Sequence, residues 1–513
     1  MKNYPKKKQL KNWLHSRLFM TILLLLFQLG FFAAGIIYLS RIQMYLSWAL
    51  RLVSILVVFR ILSTPDNPSY KISWILVIMI APLMGGLFYL IFGNKSVGRN
   101  VQKKLDQYTR MLSGGFFKRN KYTRQLAELN PLQGRLSDYL YNMSGAPPCS
   151  NTSAQYFPLG EDMFEQMVKE LKNARKFIFM EYFIIREGIM WDTILDILEE
   201  KAKSGVEVRL IYDDAGCIKT LPDGYEKVLR SKGIRALIFN PFQPHLNTFL
   251  NHRDHRKICV IDGNVGFTGG INLADEYINQ FERFGHWKDT GVMLRGDAVR
   301  NFTELFLQIW QVASGKSLDW SRYFYTQPDT PDGLIQPFGG SPLDSLHVAE
   351  NAYMQMINQA KKYLYITTPY LILDNEMVTS LRIASQSGID VRIITPSIPD
   401  KWYVHHVTRS YYLPLLESGV RIYEYTPGFI HAKMCVSDDE TAIVGTTNMD
   451  YRSFYLHFEC GVAFYNSSVI YDVKQDFLST QAISREITLT EQQNVAPHLR
   501  LIRSLLRILA PLM

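Results

Sequence analysis

The sequence predicts an α/β protein of two repeated domains with mostly parallel sheets, preceded by N-terminal transmembrane helices. Three observations lead there. First, three stretches recur in the same order: Ala174-Arg-Lys-Phe-Ile-Phe as Ala360-Lys-Lys-Tyr-Leu-Tyr, Ser204-Gly-Val-Glu-Val-Arg-Leu-Ile as Ser387-Gly-Ile-Asp-Val-Arg-Ile-Ile, and His255-Arg-Lys-Ile-Cys-Val-Ile-Asp as His431-Ala-Lys-Met-Cys-Val-Ser-Asp. The offsets of 186, 183 and 176 drift slowly, as in a duplicated domain. Second, each copy alternates helical patterns with short apolar runs, which implies strands joined by helical crossovers. Third, long apolar stretches precede residue 95.

The elements follow in chain order. Leu18–Leu39 is almost continuously apolar, and its 22 residues would span about 33 Å as a helix, against a hydrocarbon core of about 30 Å. Trp74–Phe92 is a second such run, containing Pro82 and Gly85-Gly86. Between them Met44–Leu62 is apolar but holds Arg51 and Arg60, each costing ~2.5–3.5 kcal/mol near a bilayer centre. Residues 1–95 therefore read as a membrane anchor with two or three spans. The apolar core is too long for a cleaved signal peptide. Basic residues at both ends favour catalytic domains on the cytoplasmic side of the cell membrane, by the positive-inside tendency. Residues 96–150 read as a linker region, 151–321 as the first domain and 343–513 as the second, with Arg322–Pro342 linking the halves. In the first domain Asp162–Asn173 and Trp191–Lys203 read as helices, and Lys176–Ile184 and Val206–Tyr212 as buried strands. At the C-terminus Leu499, Ile502, Leu506 and Leu509 share one helix face, and Arg500, Arg503 and Arg507 another.

Charge decides between two kinds of anionic partner. Net charge is +9, yet residues 1–104 carry 14 Lys and Arg against Asp66 alone, or +13, leaving −4 for the remainder. The basic excess accompanies the apolar segments, as beside anionic lipid, and the rest of the chain lacks the basic footprint of a nucleic-acid domain. The five cysteines are scattered without a C-x-x-C spacing, and Cys259 and Cys435 fall in strand-like runs, so they read as buried small residues.

The chemistry lies in His-x-Lys-x4-Asp, present twice: His255, Lys257 and Asp262, then His431, Lys433 and Asp438. On a strand, positions i and i+2 face the same side, so each His and Lys can enter one site together. Downstream, Gly269-Gly-Ile-Asn272 and Gly445-Thr-Thr-Asn448 are turns whose small residues and amides can approach a phosphate. Two facing copies supply two imidazoles around an anion held by two lysines and two amides. One His can attack phosphorus while the other protonates the departing alkoxide. His252, Asp254 and His255 have metal-ligand types, but a lysine in the same site repels a metal ion, so no metal or cofactor is expected.

On Asn251-His-Arg-Asp-His-Arg-Lys, Gly269-Gly-Ile-Asn-Leu-Ala-Asp-Glu-Tyr, Trp287-Lys-Asp and Gly445-Thr-Thr-Asn-Met-Asp-Tyr-Arg-Ser-Phe, the chain resembles the phospholipase D superfamily, and within it the bacterial cardiolipin synthases. The resemblance runs from about residue 42 onward. It implies two phospholipase D-type domains that convert two phosphatidylglycerol molecules to cardiolipin and glycerol through a phosphohistidine, without a metal. His255 would be the nucleophile and His431 the general acid/base, or the reverse. Lys257, Lys433, Asn272 and Asn448 would hold the phosphate, with Thr446 a further donor where the first half has Gly270. The family also places an acid 25 to 35 residues after each His to orient it, and Asp289 and Glu459 fit. Asp262 and Asp438 would fix local structure. His457 stands where the family leads one to expect Asn. The alternatives are a hydrolytic phospholipase D, transfer to another alcohol, a nuclease, which the −4 charge opposes, and a non-catalytic scaffold, which two intact motifs oppose. Oligomeric state is left open.

Overall fold

A computed structural model describes residues 26, 27, 30, 34, 44–64, 66–82, 84–93, 119–241, 252–344 and 346–512. Its centre is a pair of α/β units. The first begins with β1 (Thr152–Phe157), α1 (Gly160–Asn173) and β2 (Phe177–Tyr182). In α1, Met163, Met167 and Leu171 recur on one buried face, while Glu161 and Asp162 occupy the first turn and Lys172 the last, complementing the helix dipole. Next come α2 (Ile189–Lys203), β3 (Glu207–Asp213), β4 (Arg235–Phe239), β5 (Arg253–Asp254), β6 (Ile258–Ile261), β7 (Val265–Gly269), β8 (His286–Lys288), β9 (Gly291–Gly296) and α3 (Val299–Ser314). The sheet order is β1-β9-β7-β6-β2-β3-β4.

The expectation of mostly parallel sheets is corrected here. Among the described residues of this sheet only β2–β3 and β3–β4 pair in parallel; the remaining neighbours are antiparallel. The reason is loop length. A helical crossover brings β3 back alongside β2, but β6 and β7 are joined by a tight turn, which can only reverse the chain.

That turn explains the Asp of each motif. Asp262 and Gly263 have φ of 54° and 71°, and Asp438 and Asp439 both have 59°. Two successive positive φ values match the twist of a hairpin, and Asp tolerates them better than most residues. The Asp262 carboxylate then accepts the N–H groups of Arg175, Lys176 and Phe177, at 2.8, 2.6 and 2.9 Å, capping the start of β2. Asp438 does the same for Lys361, Lys362 and Tyr363. Both acids sit about 20 Å of strand from their histidines. This bonding is what fixing local structure requires of Asp262 and Asp438, and it uses their carboxylates away from the histidines. Asp262→Ala is expected to cost ~2–4 kcal/mol, from lost charged hydrogen bonds and an unfavourable φ. A lowered melting temperature with nearly unchanged turnover of the folded fraction would bear this out; a large loss of turnover at unchanged stability would refute it.

The second unit repeats the plan with β10 (Leu334–Gly340), α4 (Val348–Gln359), β11 (Tyr363–Thr367), β12 (Leu371–Ile372), α5 (Asn375–Gln386), β13 (Asp390–Pro396), β14 (Arg421–Tyr425), β15 (Gly428–Ile430), β16 (Met434–Ser437), β17 (Thr441–Gly445), β18 (Met449–Asp450), β19 (His457–Tyr465), α6 (Val469–Ala482) and β20 (Ser484–Ile487). Its order is β10-β19-β17-β16-β11-β13-β14-β20. β10 lies within the stretch expected to be only a link. The expected linker region also holds structure: the helices Lys121–Leu129 and Pro131–Ser144 bury Leu126, Leu136 and Leu140 in the second unit's core. The two units share one continuous core, in which Phe179, Phe302 and Phe306 of the first meet Met434, Phe464 and Phe477 of the second. A buried polar link crosses it: Lys288 pairs with Asp476 at 2.8 Å, and Tyr156 donates to Asp476 at 2.6 Å.

The N-terminal region departs from expectation in one of its apolar runs. Most of the run Leu18–Leu39 lies outside the described residues. Among the described residues no helix is long and apolar enough to cross a membrane. The run Trp74–Phe92, expected as one span, is broken. The helix Pro68–Ile80 ends before Pro82, because the residue before a proline is driven out of the helical region, and Ala81 has φ −128° and ψ 69°. The chain then folds back. A Cβ on Gly85 would lie 2.6 Å from Ile78 Cα, and one on Gly86 2.6 Å from Ser54 Oγ, so the two glycines permit the close return. This region is tied to the second unit. Asn67 donates to Asp374 and Tyr455 at 3.1 and 2.9 Å, and Ser73 donates to Ile508 O in the C-terminal helix Pro497–Leu509 at 2.6 Å.

Candidate active site

Antiparallel β6 starts at the sheet edge where parallel β2 and β3 end, so the motif histidine emerges beside the loops that follow those strands. Opposite ends of the two units meet there through two short parallel pairings. β5 pairs with β19, matching Arg253 to His457 and Asp254 to Phe458. β8 pairs with β15, matching His286 to Gly428 and Lys288 to Ile430. The pairings run on by one bond each: His255 N–H donates to Phe458 O at 3.0 Å, and His431 N–H to Lys288 O at 2.7 Å. The next residue on each partner strand is an acid.

The acids therefore cross over. Glu459 Oε1 lies 2.8 Å from His255 Nδ1, and Asp289 Oδ2 lies 2.6 Å from His431 Nδ1. Each imidazole is oriented by the carboxylate of the other half, with Nε2 left for chemistry. All four groups are buried. Lys257 and Lys433 are buried too, and their ammonium groups donate to the carbonyls of His255 and His431. Each His and Lys lies in the extended segment just before β6 or β16, not within the strand as expected.

The downstream turns serve the acids and the loops. Thr446, expected as a phosphate donor, is committed elsewhere: its hydroxyl donates to Glu459 Oε2 and accepts Cys460 N–H at 3.0 Å. Its counterpart must be glycine, since a Cβ on Gly270 would lie 2.0 Å from Asp289 Oδ1. Asn272 accepts Ile184 N–H at 3.0 Å and donates to the Tyr277 hydroxyl at 2.8 Å, pinning the loop after β2. Asn448 lines the cavity with a buried Oδ1 that has no hydrogen-bond partner.

His255, His431, Asn272 and Asn448 line a cavity of about 710 Å³. Aromatic rings to which the sequence assigns no role form its walls. Tyr277, Trp287 and Phe429 lie 5.6, 5.4 and 5.9 Å from the His431 ring, while Phe183 and His457 lie 5.0 and 5.2 Å from that of His255. Trp287 and His457 occupy equivalent places, two residues before each acid. That spacing is the signal in the sequence that ties both to the site.

Burial and the two lysines hold His255 well below the usual imidazole range. Burial and Lys433 lower His431 to about 4, against the opposing pull of Asp289. Burial also lowers Lys257 to about 8 and Lys433 to about 7. Around neutral pH both histidines are thus neutral and Lys433 partly so, with Lys257 losing its charge about one pH unit higher, and an anion favours their protonation. The sign follows: a bound anion raises both lysines, so binding takes up protons where they are partly neutral and weakens as pH rises through 7 to 8. Sulfate, whose charge is constant over this range, is expected to bind at least about tenfold more weakly at pH 9 than at pH 6.5. Calorimetry in buffers of different ionisation heat should also show proton uptake at pH 8. Equal affinities at the two pH values would contradict it.

Comparison with known proteins agrees with this geometry. The family model described as cardiolipin synthase, PLD-like domain, matches residues 167–310 and 353–480, and a phospholipase D-nuclease N-terminal model matches residues 52–94. A cardiolipin synthase of Geobacillus sp. (strain WCH70) is 37% identical over 453 residues, covering 87% of this chain and 89% of its own. Cardiolipin synthase 2 of Bacillus anthracis is 37% identical over 454 residues, covering 87% of each chain. An uncharacterized protein of Streptococcus mutans is 45% identical over 445 residues, 86% of this chain and 96% of its own. Among solved structures, the phosphatidylserine synthase of Haemophilus influenzae shares the fold with a TM-score of 0.55 at 16% identity, covering 74% of this chain and 97% of that one.

Proposed function

The chain belongs to the PLD-like cardiolipin synthase family of phosphatidyltransferases, and from that premise we propose that it transfers a phosphatidyl group from one phosphatidylglycerol to another, giving cardiolipin and glycerol. The observation that carries this reading is the crossed pair of imidazole and carboxylate across one cavity, with both lysines buried beneath. The neutral His255 offers its Nε2 lone pair to the phosphorus of the donor. The P–N bond forms as the P–O bond to the leaving glycerol breaks. His431, protonated once the phosphodiester anion is bound and Asp289 supports its charge, gives its proton to that oxygen. In the second half the neutral His431 removes the proton from an acceptor hydroxyl, which attacks the phosphohistidine. The P–O bond forms, the P–N bond breaks, and both histidines return to their starting states. Lys257 and Lys433 neutralise charge on the non-bridging oxygens.

We further propose association with an anionic membrane, with the catalytic units facing the cytoplasm. Trp48, Leu56 and Phe59 of the helix Met44–Ser63, Met79 and Ile80 of the helix Pro68–Ile80, and Leu501 and Leu505 of the C-terminal helix are all exposed. Ala510, just past that last helix, lines the catalytic cavity, which puts apolar surface next to the site where lipid must enter. The deciding experiment incubates the purified protein with labelled phosphatidylglycerol. A diphosphatidyl lipid with released glycerol is expected. Phosphatidic acid as the sole product would replace this reading with hydrolysis, and a new phosphatidyl ester of an added alcohol would replace the acceptor.

A further inference from the structure

We propose that the His255 side of the cavity binds one divalent transition-metal ion of the zinc class, held by His255, His457 and Glu459, and that its occupancy switches the enzyme off. One ligand atom from each residue lies within 4.8 Å of the other two, and all three side chains are buried. Glu459 Oε1 is already 2.8 Å from His255 Nδ1 and 3.6 Å from His457 Nδ1. A tetrahedral zinc ion with bonds of about 2.0–2.2 Å sets its ligand atoms roughly 3.3 Å apart, so side-chain rotations that close the widest pair by about 1.5 Å complete the set.

The reaction leaves His457 without a task. It is 7% exposed, and the approach of Glu459 Oε1 to its buried Nδ1, at 3.6 Å, is longer than a hydrogen bond, which leaves that nitrogen poorly satisfied unless something occupies the gap. His255 and His457 both border the cavity, so an ion has an entry path and room for a water as fourth ligand. The ammonium of Lys257 is held by the carbonyl of His255 at 2.5 Å and is not one of the three ligands. The other half cannot do the same. Trp287 stands at the place equivalent to His457, and an indole offers no metal lone pair, so the stoichiometry is one ion per chain. Two imidazoles and one carboxylate select zinc-like ions over magnesium and calcium, which require oxygen ligands. Coordination draws His255 and Glu459 onto the ion and takes the imidazole out of the reaction.

The inhibition rests on the proposed transferase reaction; the binding does not. The test is titration of the full-length, metal-free protein with Co2+, followed by its visible ligand-field absorption, with Zn2+ as displacer and Mg2+ as control. The expected result is one tetrahedral Co2+ per chain, displaced by Zn2+ and unaffected by Mg2+. His457→Asn, whose fold is checked by its melt, should weaken binding at least about tenfold for loss of one ligand. His431→Gln, outside the cluster, should bind as the wild type does. In the activity assay, Zn2+ should suppress wild-type turnover reversibly with chelator. The same concentration should leave His457→Asn at its own metal-free rate. Absent Co2+ binding by the wild type, or equal binding by His457→Asn, overturns the site. Binding as expected with no transferase activity in any sample overturns the function and leaves the site standing.

Discussion

His255→Ala is expected to reduce formation of the diphosphatidyl product by at least about 10⁴-fold, because it removes the atom that bonds to phosphorus, for which no neighbour substitutes. His457 also lines the cavity, but its ring lies 5.2 Å from that of His255 and so does not occupy the position of the reacting nitrogen. The fold should survive. The backbone N–H of residue 255 keeps its bond to Phe458 O, and Glu459 keeps the Thr446 hydroxyl. The cost of one unpaired carboxylate oxygen and a small cavity is ~1–3 kcal/mol, partly offset because Lys257 and Lys433 no longer face an imidazole. Adding His431→Ala should deepen the loss little, since the two residues act in one cycle. Rates from radiolabelled lipid beside a melting curve give both readouts. A variant retaining a tenth of wild-type turnover would remove His255 from the reaction, whereas a collapsed melt would make it a packing residue.

Asp289→Asn should lower turnover of phosphatidylglycerol by about 10²–10⁴-fold, the range for a general acid deprived of its supporting charge. The fault should lie in the other half of the molecule, since Asp289 Oδ2 bonds to His431 Nδ1. An activated phosphodiester tests this directly. A 4-nitrophenolate leaving group needs no proton, so Asp289→Asn should release nitrophenol from such a lipid at nearly the wild-type rate. Glu459→Gln, which disturbs the nucleophile His255, should be slow with both substrates. If each acid instead served the histidine of its own half, the pattern would reverse between the two variants. Quenched-flow measurement of the first nitrophenol released per site separates the outcomes.

Much of this was legible in residue order alone. The duplicated stretches implied two like units, and the observed helices Gly160–Asn173 and Ile189–Lys203 begin within two residues of the expected Asp162 and Trp191. Amphipathic periodicity is a local property, so it survives without coordinates. Strand direction was less legible. The buried run of β2 reads as parallel because it is covered on both faces, but whether β6 returns antiparallel depends on a two-residue turn whose meaning lies in its φ angles. The apolar run at 74–92 looked continuous because composition does not show where Pro82 reverses the chain. Thr446 looked like a phosphate donor because sequence does not show that Glu459 already holds its hydroxyl.

Residue order alone names the reacting groups and their duplication: His255, Lys257, His431 and Lys433 are chemistry that follows from type and spacing. It also determined that two acids, Asp289 and Glu459, stand near enough in sequence to serve them. Which acid serves which histidine is visible only in the folded chain. Spacing along the chain would pair each acid with the histidine of its own half, and the register of β5 with β19 and of β8 with β15 pairs them across. The physical reason is that strand pairing between the units is a non-local contact, set by how two complete sheets meet, and no stretch of either half contains it.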